Sequence, residues 1–549
     1  MSGTHWTSPP TRRELTLLLF CLCVFVLAYN FDASLHLLSS RSRSSASPAS
    51  LFGFHIGGSE VPSIGPDGRR PEGYRDALEN EIFGEWDWEE GKVAGVKASE
   101  ESRIIASSGS AKGKDEDAYV RGEGVPGKNA MWLQGVREGV YSQAEGLGTI
   151  NVNDGFVRWG EDTPKSSLVS HVPGFTVLDH VFMFNGTMII VTDDPSSMPD
   201  TDAIGSSSTD RNQPPQEVDW QVLSHRDAAS RLGPYGGRIH GVTYMSYDAS
   251  SASDAYTLLS LHRLYSTVPS HNSTPPHRLF FPTISTFSDP APDPDDDAVI
   301  RKRSNTGIHP YTLKAAYPTL SGALFSEDFA DFSGLDIPML LDRVVIADRA
   351  AAARYGSTAD LWSGPFTLNA PRDWFDGIQR NLARYFGEGE GKGDGKKEVT
   401  YLVRQGYAGS GARLRAEDHK ALLEQLKNLQ KSGYKVNVID ESSTWAQRMK
   451  AVVRSTIVIG AFGEHLSDSV FMKRQPQTTL MEFFPSGVFT RDWELVIRSM
   501  GIRYIAWQGE QKYTGESLPL VSRPSGPQEV HIDAAAVVRA VKEELSRRA

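Results

Sequence analysis

The sequence predicts an α/β fold built on a doubly wound parallel sheet, and three observations carry that reading. Short β-branched runs alternate with helix-length segments through the second half of the chain. One such run, residues 456–459, leads into a turn flanked by Gly460 and Gly463, then a helix-like stretch at 465–472 and a second apolar run, Thr479–Phe484. Apolar residues are 39% of 549, enough to cover both faces of such a sheet. A chain of this length holds two or three domains.

The N-terminus reads as a membrane element. Residues 1–14 form a cytosolic tail ending in Arg12 and Arg13, and residues 15–31 (LTLLLFCLCVFVLAYNF) are apolar apart from Thr16 and Asn30. That run lies at the short end of the roughly 17–25 residues a spanning helix uses, and Tyr29 and Phe31 sit where an interfacial aromatic belt falls. The expectation is a single-pass type II signal-anchor. A cleaved signal peptide is the alternative, with Ala28 and Ala33 as weak cleavage residues. Either places the rest of the chain in the secretory lumen. The sequons at Asn185 and Asn272 agree with that side, and Asn185-Gly186 also reads as a type I′ hairpin turn. Cys21 and Cys23 both lie in the apolar run, so the remainder carries no disulfide, Cys-type zinc site or cysteine nucleophile.

Residues 32–150 read as a largely disordered stalk, rich in Ser, Gly and charge, with Trp86 and Trp88 as a patch that docks on the folded part. Residues 151–370 then form an N-terminal domain. Its strand runs are 175–178, 181–184, 188–191 and 343–346, and its helical runs are 255–264, 311–317 and 348–355. Residues 371–549 form the C-terminal domain, which opens on a glycine-rich loop at 387–397. Strands follow at 399–404, Lys435–Ile439, 456–461, Thr479–Phe484 and 504–507, with helices at 416–430, 444–454 and 534–547. The net charge of -11 and a pI near 5.7 argue against a nucleic-acid binder, which shows a basic face.

Ligands of such sheets bind at the carboxyl ends of the strands. Arg404 ends its strand there, and Arg413 and Arg415 follow a glycine-rich turn; guanidinium groups clamp diphosphates through paired hydrogen bonds. The plain alternative is a set of solvated arginines beside helix 416–430. Glu482 lies inside an apolar strand and needs either a ligand or an internal arginine as partner. Backbone N–H groups at Gly463 and the helix after it suit a phosphate. Glu464 would compete with one, and His465 opens the same helix. Asp248 and Asp254 are the remaining carboxylates for a general base.

These segments resemble the fungal branch of glycosyltransferase family 61. Members read His-Gly-x-Gly-Leu-x-x-x-x-x-Met followed by a Glu-x-Phe strand. Here Gly463, Leu466, Met472, Glu482 and Phe484 match, while Phe462 stands at the first His and His465 at the second Gly. VRQGYAGSGARLRAEDH matches through Arg404, Gln405, Arg413, Glu417, Asp418 and His419, and the acceptor-side aromatic and histidine cluster has become Asp254-Ala255-Tyr256. Further segments follow in family order over about residues 168–510. The resemblance implies a GT-B arrangement of two Rossmann-like halves with parallel sheets. It implies a Golgi or other secretory-pathway enzyme that transfers a hexose or pentose, with inversion, from a nucleotide sugar, a UDP-sugar, to a glycan or glycoprotein. Arg404, Arg413, Gly463 and Glu482 would bind the donor, Asp254 and His465 would serve catalysis, and neither a metal nor another cofactor is expected. The altered positions leave a second reading open, a catalytically inactive homologue that binds glycans or assists a partner enzyme.

Overall fold

The computed structural model describes residues 77–88, 96–97, 105–107, 156–247, 255–269, 275–288, 298–300, 302–304, 306–356, 364–388, 397–406, 412–523 and 528–547. The apolar run 15–31, both cysteines, Asp248, Asp254 and the sequon at Asn272 lie outside them. Among the described residues no helix is long and apolar enough to cross a membrane. The chain is α/β, with mixed sheets that are mostly parallel.

The N-terminal half is one nine-stranded sheet. Its strands are β1 (Phe156–Arg158), β2 (Ser167–Val172), β3 (Phe175–Phe184), β4 (Thr187–Val191), β5 (Trp220–Leu223), β6 (Tyr235–Ser246), β7 (Pro276–Phe280), β8 (Gly322–Leu324) and β9 (Met339–Ala347). Strands β8, β7, β6 and β9 lie side by side and parallel. Beyond β9 the sheet turns antiparallel through β3 and β4, with β2 also paired to β3. The expectation of a parallel sheet in this half is therefore corrected to a mixed one. The cause is local. Asn185 and Gly186 take φ of 48° and 79°, the paired positive angles of a type I′ turn, so β3 folds straight back into β4. The runs 175–178 and 181–184 are one strand rather than two, pivoting at His180, whose φ is 59°.

The C-terminal half is a six-stranded sheet in the order β12, β10, β13, β14, β15, β16. These are β10 (Glu398–Leu402), β12 (Lys435–Ile439), β13 (Ile457–Ala461), β14 (Thr479–Phe484), β15 (Arg503–Gln508) and β16 (Gln511–Tyr513), with β11 (Ala412–Leu414) paired to β17 (Gln528–Val530) outside it. All are parallel except the β15–β16 hairpin. Residues of β10, β13 and β14 are buried throughout, as expected of strands covered on both faces. The order reverses between β10 and β13. The chain winds outward from β10 to β12, then crosses back to lay down β13.

The helices follow their sequence signals. We label α1 (Ala255–Tyr265), α2 (Pro310–Ala316), α3 (Asp376–Tyr385), α4 (Ala416–Lys431), α5 (Trp445–Arg454), α6 (Asp492–Ser499) and α7 (Ala534–Ser546). In α4, Leu422, Leu426 and Leu429 form the buried stripe. Thr444 caps α5 and exchanges hydrogen bonds with Gln447 in a capping box. The stretch expected as a helix over 465–472 is a 3₁₀ helix, Glu464–Phe471.

Both halves share one core, in which Val177, Tyr244 and Leu259 are continuous with Val399, Ile459 and Phe483. Helix α1 is buried along nearly all its length, and its Arg263 donates to the carbonyls of Pro365 and Leu368 and lies over the ring of Trp374. Part of the expected stalk joins this core. Leu78, Ile82, Phe83 and Trp88 are buried, Phe83 stacks on Tyr311 at 5.0 Å, and the Trp88 carbonyl accepts a hydrogen bond from Nε2 of His309.

Candidate functional site

In an open sheet wound this way, the crevice lies at the carboxyl ends of the strands where the order reverses, because the connections on either side depart to opposite faces. Here that point is between β10 and β13. Arg404 follows β10 by two residues, and the Gly460–Gly463 turn closes β13.

Gly463 is fixed by both backbone and space. Its φ is 151°, and a Cβ there would lie 2.8 Å from Arg404 Nη1 and 3.2 Å from His465 Nδ1. The turn therefore holds its backbone against the Arg404 guanidinium. Arg404 Nη1 lies 3.4 Å from Nδ1 of His465. A guanidinium can only donate, so Nδ1 accepts and the neutral imidazole carries its hydrogen on Nε2. That Nε2 is buried and has no hydrogen-bond partner among the described residues. Burial first, then the charges of Arg404 and Arg448, push the His465 pKa down to about 3. Arg448, on α5, holds Asp468 at 2.8 Å; burial raises the Asp468 carboxyl and Arg448 opposes the rise. Arg404 and a neutral imidazole stand at the turn, the Arg448–Asp468 pair lies beside His465, and the exposed Glu464 carboxylate adjoins Gly463. The Arg404 guanidinium suits an oxyanion better than a cation.

Glu482 shares this face of the sheet. It pairs directly with Gly460, and a Cβ on Gly460 would stand 3.4 Å from His465 Nε2. The side chain is 1% exposed and accepts a hydrogen bond of 2.6 Å from the Tyr504 hydroxyl. Its partner is therefore a phenol rather than an internal arginine. Burial pushes its pKa up to about 8 against the Tyr504 hydrogen bond, and Asp492 adds to the rise.

Side chains from both halves pack beside the turn. Trp493 Nε1 donates to the Gly463 carbonyl at 3.1 Å, and its ring stacks on Tyr256 of α1 at 4.7 Å and 21°. Asp254 lies outside the described residues, two positions before Tyr256. Phe462, at the position where the resembled family carries histidine, is 8% exposed and stacks on Phe484 at 5.4 Å.

Of the residues singled out from sequence, Arg404, Gly463 and His465 meet, and Glu482 lies on the same face. Arg413 does not join them. It sits on β11 with its exposed side chain 3.4 Å from Glu529, although the neighbouring Ala412 N–H donates to the Phe462 carbonyl. Asp418 accepts from Nδ1 of His531 and the Ile532 N–H, and His419 Nδ1 meets the Tyr401 hydroxyl at 3.0 Å, so both secure α4. Glu464 is exposed. Arg448, Trp493 and Tyr504 were missed. Arg448 had a legible signal, since it falls on the apolar stripe of α5 with Trp445, Met449 and Val452. Among the described residues no three His, Cys, Asp or Glu side chains converge as a metal-ligand set.

No known family model matches the chain, and no curated protein matches it. Solved structures give faint likenesses. Two variants of a flavo di-iron protein from Thermotoga maritima align at 10% identity with TM-scores of 0.20 and 0.18, each over 68% of this chain and over 90% and 92% of theirs. A rubredoxin:oxygen oxidoreductase from Desulfovibrio gigas aligns at 11% identity and a TM-score of 0.17, over 72% of this chain and 97% of its own.

Proposed function

We propose that the chain is a glycosyltransferase of GT-B type, similar to family 61, that transfers a sugar with inversion from a nucleotide sugar to a glycan or glycoprotein acceptor. The observation that carries this reading is the meeting of Arg404 and His465 at the Gly463 turn, with Arg448 beside His465, at the reversal point of a parallel sheet. The donor diphosphate fits there. Arg404 and the turn supply charge and backbone donors to the leaving phosphate. Glu482, whose pKa burial raises to about 8, offers hydrogen-bonding capacity to the nucleoside. No metal is required, because the arginines carry the compensating charge. The apolar run 15–31 would anchor the enzyme as a type II protein of the Golgi or another secretory membrane.

A screen of UDP- and GDP-sugars with the purified full-length chain, read by release of nucleoside diphosphate in the presence of mixed glycan acceptors, tests this. Release from one donor class, lost in Arg404→Ala, supports it.

A second reading is favoured by one observation. Phe462 packs on Phe484 where a histidine would face the phosphate, and His465 is held neutral with Nδ1 already occupied. A homologue without turnover that binds donor or glycan would look like this. It predicts donor binding without release.

A further inference from the structure

A second cleft lies at the opposite edge of the same sheet. It opens at the amino-terminal end of β15, whereas the Gly463 turn sits at the carboxyl end of the parallel strand β13. Its volume is about 530 Å³, and four arginines line it, Arg372, Arg498, Arg503 and Arg547, together with Gly501 and Tyr504. In a chain whose net charge is -11, this is a local inversion of sign.

The arginines are only half compensated. Arg498 reaches Glu494 at 2.6 Å, and that carboxylate is shared with Arg491 at 2.8 Å. Arg503 and Arg547 share Glu544, at 3.1 and 3.7 Å. Arg372 has no ion-pair partner among the described residues. Four guanidiniums therefore face two carboxylates, one of them divided with an arginine outside the cleft. The fold also fixes where these groups stand. Trp374 Nε1 donates to the Ser499 carbonyl at 3.1 Å, tying the Arg372 segment to the end of α6, and Arg474 grips Asp376 through two hydrogen bonds of 2.7 and 3.1 Å.

We propose that this cleft binds a phosphate-bearing ligand, a phosphate monoester or diphosphate on a carrier about the size of a sugar, at a site separate from the Gly463 turn. The charge argues for a dianion, since a single carboxylate would leave the excess of guanidinium charge standing. Guanidinium groups take phosphate oxygens through parallel hydrogen bonds. The volume falls within the range of about 300–1,000 Å³ used by small-molecule sites and exceeds what a bare phosphate fills.

Calorimetry on the purified full-length chain with inorganic pyrophosphate tests the proposal. Wild type is compared with the double variant Arg372→Ala, Arg547→Ala and with Arg404→Ala. The expected result is binding by wild type that weakens about tenfold or more in the double variant, as for loss of charged hydrogen bonds, and that persists in Arg404→Ala. Absence of binding at millimolar pyrophosphate, or equal affinity in the double variant, overturns it. If Arg404→Ala alone removes the binding, the anion sits at the Gly463 turn; this proposal falls while the donor reading stands. Because Arg547 pairs with Glu544, Arg372→Gln serves as a variant that touches no ion pair. It is expected to weaken binding with an unchanged melting temperature, and unaltered binding in it counts against the site. A hexose phosphate should displace pyrophosphate. Failure to do so, with or without displacement by vesicles of anionic phospholipid, overturns the sugar-sized carrier.

Discussion

Nδ1 of His465 accepts from the Arg404 guanidinium at 3.4 Å, directly over the space that Gly463 leaves empty. One residue from each side of the reversal point in the sheet is thereby joined, and the imidazole is held neutral. Burial of His465, with the charges of Arg404 and Arg448 second, sets a pH response. His465 has a folded pKa near 3 against an ordinary value of 6.5, so the unfolded chain binds the proton more readily between those values. The stability it contributes is present above about pH 6.5 and is lost as pH falls toward about 3. His465→Gln is therefore expected to flatten the fall in melting temperature across that window, measured against wild type. His309, also depressed to about 3 by burial and Arg448, leaves a residual slope in the variant.

Glu482 gives the opposite sign. Its folded pKa of about 8 lies above its ordinary 4.5, so the folded chain holds the proton more tightly. The stability associated with the protonated carboxyl is complete below about pH 4.5 and is lost as pH rises through about 8. Glu482→Gln keeps an acceptor for the Tyr504 hydroxyl and does not titrate. Its melting temperature relative to wild type should rise from about pH 5 to about pH 9. A constant difference across that range would mean that Glu482 is ionised throughout.

Trp493→Phe separates the two functions of the indole. The ring stack on Tyr256 is retained, and the hydrogen bond to the Gly463 carbonyl is removed. Loss of one neutral hydrogen bond costs about 1 kcal/mol. We expect a small drop in stability by chemical denaturation and a larger loss of nucleotide-sugar affinity, because the turn is no longer held. Equal losses in both would make Trp493 a packing residue only.

Phe462→His tests how the altered motif bears on turnover. A charged hydrogen bond or general acid at such a position is worth about a hundredfold in rate. If the altered motif has eroded activity, the substitution raises turnover. If His465 has taken over the role, the substitution does little and His465→Ala abolishes release. Indifference to both changes in a brisk enzyme would place the reactive group elsewhere.

The central strands of the C-terminal half were legible because β10, β13 and β14 are short, largely apolar and buried throughout. Residues 435–439 and 479–484 were read to the residue. In the N-terminal half the runs 175–178, 181–184, 188–191 and 343–346 and the helices at 255–264, 311–317 and 348–355 also lie where the sequence placed them, and β6 was missed for a visible reason. The longest strand, β6, carries Gly236, Gly237 and Gly241, which break any alternating pattern. Two of them are set by packing: a Cβ on Gly236 would lie 2.2 Å from the Pro338 carbonyl, and one on Gly241 would lie 2.6 Å from the His277 ring. Arg404 and Gly463 could be read from their place after a strand, because the ends of parallel strands converge in any winding. Arg413 could not be sorted from Arg404 this way. Its orientation depends on the β11–β17 pair, whose two strands are three residues each and far apart in the chain.

The measurement that bears most directly on the account is the affinity of the full-length chain for nucleotide sugars by calorimetry, in wild type and Arg404→Ala. Wild type should bind a UDP- or GDP-sugar. The variant should fold with an unchanged melting temperature and lose roughly 1.5–3 kcal/mol of binding free energy, the usual worth of a charged hydrogen bond. Binding of no nucleotide sugar at millimolar concentration, or binding that Arg404→Ala leaves intact, would contradict the assignment of the reversal point between β10 and β13 as the donor site.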